Sequence, residues 1–160
     1  MGVGVAQAIA AAVVHPDKKV VAVEGDSGFG FSLAEVEVCC RYKLPITFII
    51  INNNGIGGGP PKLAPTSPER LKGHMVTGLT PECRYDKVCE SLGGVGFFAH
   101  TPEELEEMLP QALACDTTCC LNIMINPSSQ RKAQAFGWLS RADDVKTGAG
   151  VTAEPASARL

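Results

Sequence analysis

The spacing of apolar residues changes repeatedly along this chain, and each change marks a boundary between elements. From Val3 to Val14 an Ala-rich apolar run reads as a buried helix, stopped by His15-Pro16-Asp17, since proline cannot continue a helix and restricts the residue before it. Val20 to Glu24 (VVAVE) is a short run of β-formers and predicts a strand. Phe31 to Tyr42 predicts a second helix, closed by Lys43-Leu44-Pro45. Ile46 to Ile51 (ITFIII) is apolar without a break, the pattern of a strand covered on both faces of a parallel sheet. From Asn52 to about Glu82 no period holds. Pro60, Pro61, Pro65 and Pro68 beside a glycine run make this a long loop with at most one short helix, and such loops are often functional.

Periodicity then returns. Tyr85 to Leu92 predicts a helix and GGVGFFA contains a strand. Thr101-Pro102-Glu103-Glu104 is a helix start with Thr101 as N-cap, proline at the first helical position and Glu104 closing a capping box. That helix runs to about Ala114, and CCLNIMIN (Cys119 to Asn126) is the last strand. Strands alternating with helices predict the α/β class: an open parallel sheet with helices on both faces. After Trp138 the chain turns polar and Ala/Gly-rich without a period, which predicts a folded domain over 1–140 and a flexible tail over 141–160.

Composition narrows the classes. At 160 residues the length suits one domain with a core of its own. A net charge of -3 without a Lys/Arg cluster argues against a nucleic-acid or anionic-membrane partner. The longest apolar stretches are about a dozen residues, short of the roughly 20 that span a bilayer, and no basic leader opens the chain as a secretory signal would. Seven cysteines at 39, 40, 83, 89, 115, 119 and 120 form no C-x-x-C and are odd in number. They read as small buried hydrophobes in a reducing compartment, not as a disulfide framework or zinc site.

The chemistry sits at two strand ends. Gly25-Asp26-Ser27-Gly28 follows the first strand and Asn52-Asn53-Asn54-Gly55 follows the second. In open α/β sheets ligands bind beyond the carboxyl ends of the strands. If these two strands are neighbours, Asp26 and Asn53 converge. Gly25, Gly28 and Gly30 permit positive φ and close backbone approach, and a helix beginning near Phe31 would aim its free amides at the same point. One carboxylate, one carboxamide and a carbonyl suit Mg²⁺ that already carries an anionic diphosphate. GDSG alone also fits a tight turn with Asp26 capping a helix; its pairing with NNNG across a βαβ unit favours the ligand reading. No P-loop motif is present, and GVGVAQ fails the dinucleotide fingerprint at its last position.

This pairing resembles the thiamine-diphosphate signature, G-D-(G/S) followed at a set distance by N-N. EGDSGFGFS, CRYKLPI, NNNGI, TPEEL and RKAQAFGWLSR together resemble the family of 2-hydroxyacyl-CoA lyase and its relative oxalyl-CoA decarboxylase, over about Met1 to Arg141, and only their C-terminal diphosphate-binding domain. The resemblance implies thiamine diphosphate and Mg²⁺ as cofactors, with Asp26, Asn53 and the Gly55 carbonyl on the metal. It further implies Gly25, Ser27 and the Gly28 backbone at the diphosphate, and Ile56 and Met1-Gly2 beside the cofactor. The implied reaction cleaves a 2-hydroxyacyl-CoA to formyl-CoA and an aldehyde one carbon shorter, the thiazolium acting as electron sink; decarboxylation of oxalyl-CoA is the alternative.

No catalytic residue is expected in this chain, because the family's activating glutamate comes from the N-terminal domain of a partner subunit. The implied complete enzyme is a homo-oligomer, dimer or tetramer. This chain is then a fragment without lyase activity of its own, or a non-catalytic cofactor-binding or dimerisation domain. The family's usual aromatic residue after NNNGI is replaced by Gly57. His15, His74 and His100 read as surface or capping residues, and Glu35 and Glu37 as structural. Arg131, Lys132 and Trp138 fall where the family packs over the CoA mouth, although a solvated face explains the two cations equally well. Ala158-Arg159-Leu160 is a variant of the S-K-L address, implying a peroxisomal import receptor as partner and the peroxisome as location.

Overall fold

The computed structural model describes residues 1–57 and 77–127; the readings placed on Pro60 to Pro68, His74, Arg131, Lys132, Trp138 and the tail lie outside them. The described residues fall within one compact unit, Met1–Ser129. In chain order they form α1 (Gly4–Val14), β1 (Val20–Gly25), α2 (Asp26–Gly30), a 3₁₀ turn (Leu33–Glu35), α3 (Val36–Arg41), β2 (Ile46–Asn52), α4 (Tyr85–Ser91), β3 (Val95–Ala99), α5 (Pro102–Ala114) and β4 (Cys119–Met124). The four strands are all parallel in the order β1-β2-β4-β3.

Side-chain alternation sorts the helices onto two faces. Ile46, Phe48 and Ile50 of β2 and Cys120 of β4 bury against Val5 and Ala8 of α1, Phe29 of α2, Cys39 of α3 and Cys89 of α4. The opposite face carries Cys119 and Leu121 of β4 and Ala99 of β3 against Ala112 of α5. This explains the unbroken apolar run of β2, covered from both sides near its start. The same face of β1 is bare: Val21 and Val23 stand exposed, Val23 at 64%. α5 begins with the expected capping box, Thr101 Oγ1 accepting from the Glu104 amide at 3.2 Å and Glu104 Oε2 from the Thr101 amide at 3.3 Å.

One expected helix divides. In place of a single helix over Phe31–Tyr42, the chain enters α2 at Asp26, breaks at Ser32 (φ -125, ψ 24) and resumes after the 3₁₀ turn as α3. The glycine turn is itself helical. All seven cysteines are free thiols, and Cys39, Cys89, Cys119 and Cys120 are buried. Among the described residues no helix is long and apolar enough to cross a membrane.

Close packing of α4 on β3 depends on Gly96. A Cβ there would lie 2.6 Å from the Asp86 carbonyl oxygen and 2.8 Å from Glu90 Oε1. The carbonyl is backbone and can yield only if the helix moves. Gly96→Ala should therefore destabilise the fold by about 1–3 kcal/mol, read as a lower denaturant midpoint with an unchanged m-value.

Candidate functional site

β1 and β2 pair in parallel with Gly25 opposite Ile51, so the segments that leave both strands emerge side by side at the carboxyl end of the sheet. Gly25 is still extended (φ -75, ψ 153), and Asp26 follows as the first residue of α2. Its carboxylate is buried, 2% exposed. Oδ1 accepts the Ser27 amide at 2.8 Å, and Oδ2 accepts the Gly55 amide at 2.9 Å. Asn53 Oδ1 accepts the same Gly55 amide at 3.1 Å. Two oxygens from adjacent strand tips thus converge on a single N–H.

The orientation of Asn53 is settled by its other end. Nδ2 donates to the Gly57 carbonyl at 2.7 Å, which leaves Oδ1 as the atom turned toward Asp26. Gly57 lies in the left-handed region at φ +76, where an aromatic side chain would be strained. Glycine suits this φ, and its backbone carbonyl holds the asparagine.

The other two asparagines are committed elsewhere. Asn54, at φ 62, accepts the Glu82 amide on Oδ1 at 2.6 Å and the Leu79 amide on its carbonyl at 2.9 Å. Asn52 is fully buried and its Oδ1 accepts the Asn54 amide at 3.0 Å. Gly55 bridges Gly78 in antiparallel fashion and the Ile56 amide donates to the Thr77 carbonyl at 2.7 Å. The loop after β2 is thus backed by the chain returning toward α4. Ile56 is half-buried on that backing.

Electrostatics and space both leave room for a ligand. Burial pushes the Asp26 carboxyl above its ordinary value, and amides from Ser27, Gly55, Asn54 and Asn53 only partly pull it back. Among the described residues no ion pair involves Asp26. A buried carboxylate with no cation carries a desolvation cost that a hard cation would offset. Its oxygens offer about four lone-pair sites, of which the amides of Ser27 and Gly55 take two at hydrogen-bond distance while those of Asn53 and Asn54 act from farther off. Above the turn, a Cβ on Gly25 would meet nothing within 4 Å, and one on Gly28 only Glu24 Oε2 at 3.9 Å. The arrangement suits an all-oxygen cation that brings an anion with it. Among the described residues no three His, Cys, Asp or Glu side chains gather as a metal-binding group; Asp26, Asn53 and a carbonyl together contain only one residue of those types.

The turn differs from expectation in one respect. Gly25, Gly28 and Gly30 have no positive φ; Gly2, Gly57 and Gly93 do. Because α2 starts at Asp26, the turn needs no left-handed residue, and the missing side chains instead leave open space. Gly2 (φ +81) lies against Phe31, and its carbonyl accepts Ser32 Oγ, which ties the start of the chain to the end of the turn. Two buried side chains, Phe29 in α2 and Asn122 in β4, support this region and were not singled out by periodicity. A polar residue inside the apolar run CCLNIM is the one signal that would have found the second.

Comparison with known proteins identifies the domain. Residues 1–123 match the family described as thiamine pyrophosphate enzyme, C-terminal TPP binding domain. The chain is similar to 2-hydroxyacyl-CoA lyase 1 of Homo sapiens, 48% identical over 155 residues, covering 89% of this chain and 26% of that protein. It is also similar to oxalyl-CoA decarboxylase of Escherichia coli K12, 38% identical over 131 residues, covering 81% of this chain and 22% of the other. Among solved structures, a thiamine diphosphate-dependent 4-hydroxybenzoylformate decarboxylase of Rhodococcus jostii RHA1 shares the fold, with a TM-score of 0.64 at 22% identity over 79% of this chain and 23% of that one. The chain spans about a quarter of the length of the curated relatives it matches.

Proposed function

The chain belongs to the thiamine pyrophosphate enzyme family, as a C-terminal cofactor-binding domain, and from that premise we propose that it holds Mg²⁺-thiamine diphosphate for a 2-hydroxyacyl-CoA lyase. Asp26, Asn53 and the Gly55 carbonyl hold the metal. Gly25 leaves space for the diphosphate, Ser27 and the Gly28 backbone bind its oxygens, and Ile56 lies beside the cofactor. The observation that carries this reading is the convergence of Asp26 Oδ2 and Asn53 Oδ1 on one amide. When bound, thiamine diphosphate supplies the electron sink for cleaving a bond next to a carbonyl. The chain's own contribution is to fix the pyrophosphate end: an anionic oxygen, a neutral oxygen and a backbone oxygen balance the cation without repelling the phosphates.

The substrate in this reading is a 2-hydroxyacyl-CoA, cleaved to formyl-CoA and a shortened aldehyde by a homo-oligomer that brings the activating glutamate from another domain. Similarity to the human lyase supports this assignment over oxalyl-CoA decarboxylase. Recognition of Ala158-Arg159-Leu160 by an import receptor, and hence a peroxisomal location, completes the proposal.

The test is an NMR titration of the ¹⁵N-labelled chain with thiamine diphosphate, with and without Mg²⁺. Amides of Ser27, Gly28 and Gly55 should shift only when the metal is present. Shifts that ignore Mg²⁺, or none at saturating cofactor, would overturn the reading.

A further inference from the structure

Behind the loop that follows β2 lies a chain of buried polar groups that links β4 to the start of α4. Asn122 sits in the middle of β4, fully buried, on the face that α4 covers. Its Oδ1 accepts Asn52 Nδ2 at 3.2 Å, and its Nδ2 donates to the Cys83 carbonyl at 2.9 Å and to Asp86 Oδ1 at 3.4 Å. Asn52 Nδ2 also donates to the Cys83 carbonyl, at 3.2 Å. Asp86, 1% exposed, is gripped by Arg84 through Nε at 2.9 Å and Nη2 at 2.6 Å. Arg84 in turn lies 4.0 Å over the Phe98 ring of β3.

We infer that Asn122, Asp86 and Arg84 form a positioning network that sets the conformation of Asn52–Gly55, and through it the meeting of Asn53 and Asp26. The logic is a sequence of single hydrogen bonds. Asn122 fixes the amide of Asn52, so Asn52 Oδ1 faces the Asn54 N–H. That bond keeps Asn54 in its left-handed conformation, from which the next amide, that of Gly55, points at Asp26 and Asn53. Burying an asparagine in an apolar strand is unfavourable unless its bonds are made. Here Asn52 of β2, the Cys83 carbonyl just before α4 and Asp86 in its first turn make those of Asn122. Burial alone would push Asp86 up, but the hydrogen bonds of Arg84 hold it below the ordinary carboxylate range; it therefore stays ionised as an acceptor for both Arg84 and Asn122.

The purpose of the loop rests on the proposed function; the geometry of the network does not, and the test keeps them apart. Amide hydrogen exchange is measured by NMR in the cofactor-free chain for wild type, Asn122→Leu and Asp86→Asn. Leucine matches asparagine in shape and lacks its amide, while Asp86→Asn keeps an acceptor for Asn122 and removes the charge that Arg84 and Asn122 both donate to. The Asn54 and Gly55 amides should exchange about tenfold faster in Asn122→Leu, the effect of one lost net hydrogen bond, and by a smaller factor in Asp86→Asn. Phe48 and Ile50 in β2 serve as the folding reference and should be unchanged. Unaltered exchange at Asn54 and Gly55, or acceleration only in parallel with Phe48 and Ile50, would overturn the inference. Should Asn122→Leu fail to fold, Asp86→Asn decides by the same criterion. In a second arm the affinity for Mg²⁺-thiamine diphosphate should fall about tenfold in Asn122→Leu; a wild type that binds none counts against the proposed function, while the exchange arm still judges the network.

Discussion

Asp26→Asn is expected to weaken binding of Mg²⁺-thiamine diphosphate at least about 100-fold while leaving the cofactor-free fold nearly as stable as wild type. Groups one step removed from a metal typically cost about 10–100-fold in affinity when lost, and in the proposed reading Asp26 is a direct ligand, so its loss should cost more. The stability half of the prediction follows from its surroundings. Burial already disfavours the charge of Asp26 in the empty chain, so a neutral isostere removes a desolvation cost. Against that, asparagine can accept only one of the two amides that Asp26 now accepts from Ser27 and Gly55. One net hydrogen bond is worth about 0.5–1.5 kcal/mol, and the two effects oppose each other. Calorimetric titration beside a thermal melt would show it: lost binding with an unchanged melt marks a ligand, whereas a collapsed melt would mean that Asp26 is a structural cap and no more.

A feature is legible in the sequence when its physical cause is local. β2 was legible because a run with five apolar residues out of six needs cover on two sides, and α5 because its capping box is complete within four residues. Asp26 and Asn53 were nominated by their motif at two strand ends, and the parallel register of β1 with β2 then brings those ends together. The helical turn at Asp26–Gly30 was not legible: two glycines and a serine among five residues argue against a helix by propensity, and the burial of Phe29 overrides them. The bare face of β1 was hidden for a related reason. VVAVE predicts a strand but not what covers it, and α5 packs on β3 and β4 and leaves Val21 and Val23 open. Asn122 shows the limit most clearly. Its partners Asn52, Cys83 and Asp86 lie between 36 and 70 residues away, and no local pattern encodes contacts of that range.

Phe29→Ala should be the reverse of Asp26→Asn, costing about 3–5 kcal/mol of stability before any question of ligand arises. The ring is fully buried, 5.5 Å from Phe48 of β2 and 5.8 Å from Tyr85 of α4 in an edge-on contact. It projects from the middle of the glycine turn, between Gly28 and Gly30, and so fastens that turn to β2 and α4 at once. Removing it leaves a cavity that Phe48 and Tyr85 cannot both fill, and takes with it the aromatic contacts, worth about 0.5–1.5 kcal/mol per pair beyond burial. Against a total stability of about 5–15 kcal/mol, the loss is large. The melt should fall by roughly 10–20 °C. Phe29→Leu keeps most of the volume and should cost less than about 1.5 kcal/mol, which separates filled space from the specific ring. If alanine at 29 barely moved the melt, α2 would not be anchored through this side chain, and the alignment of Asp26 with Asn53 would need another support.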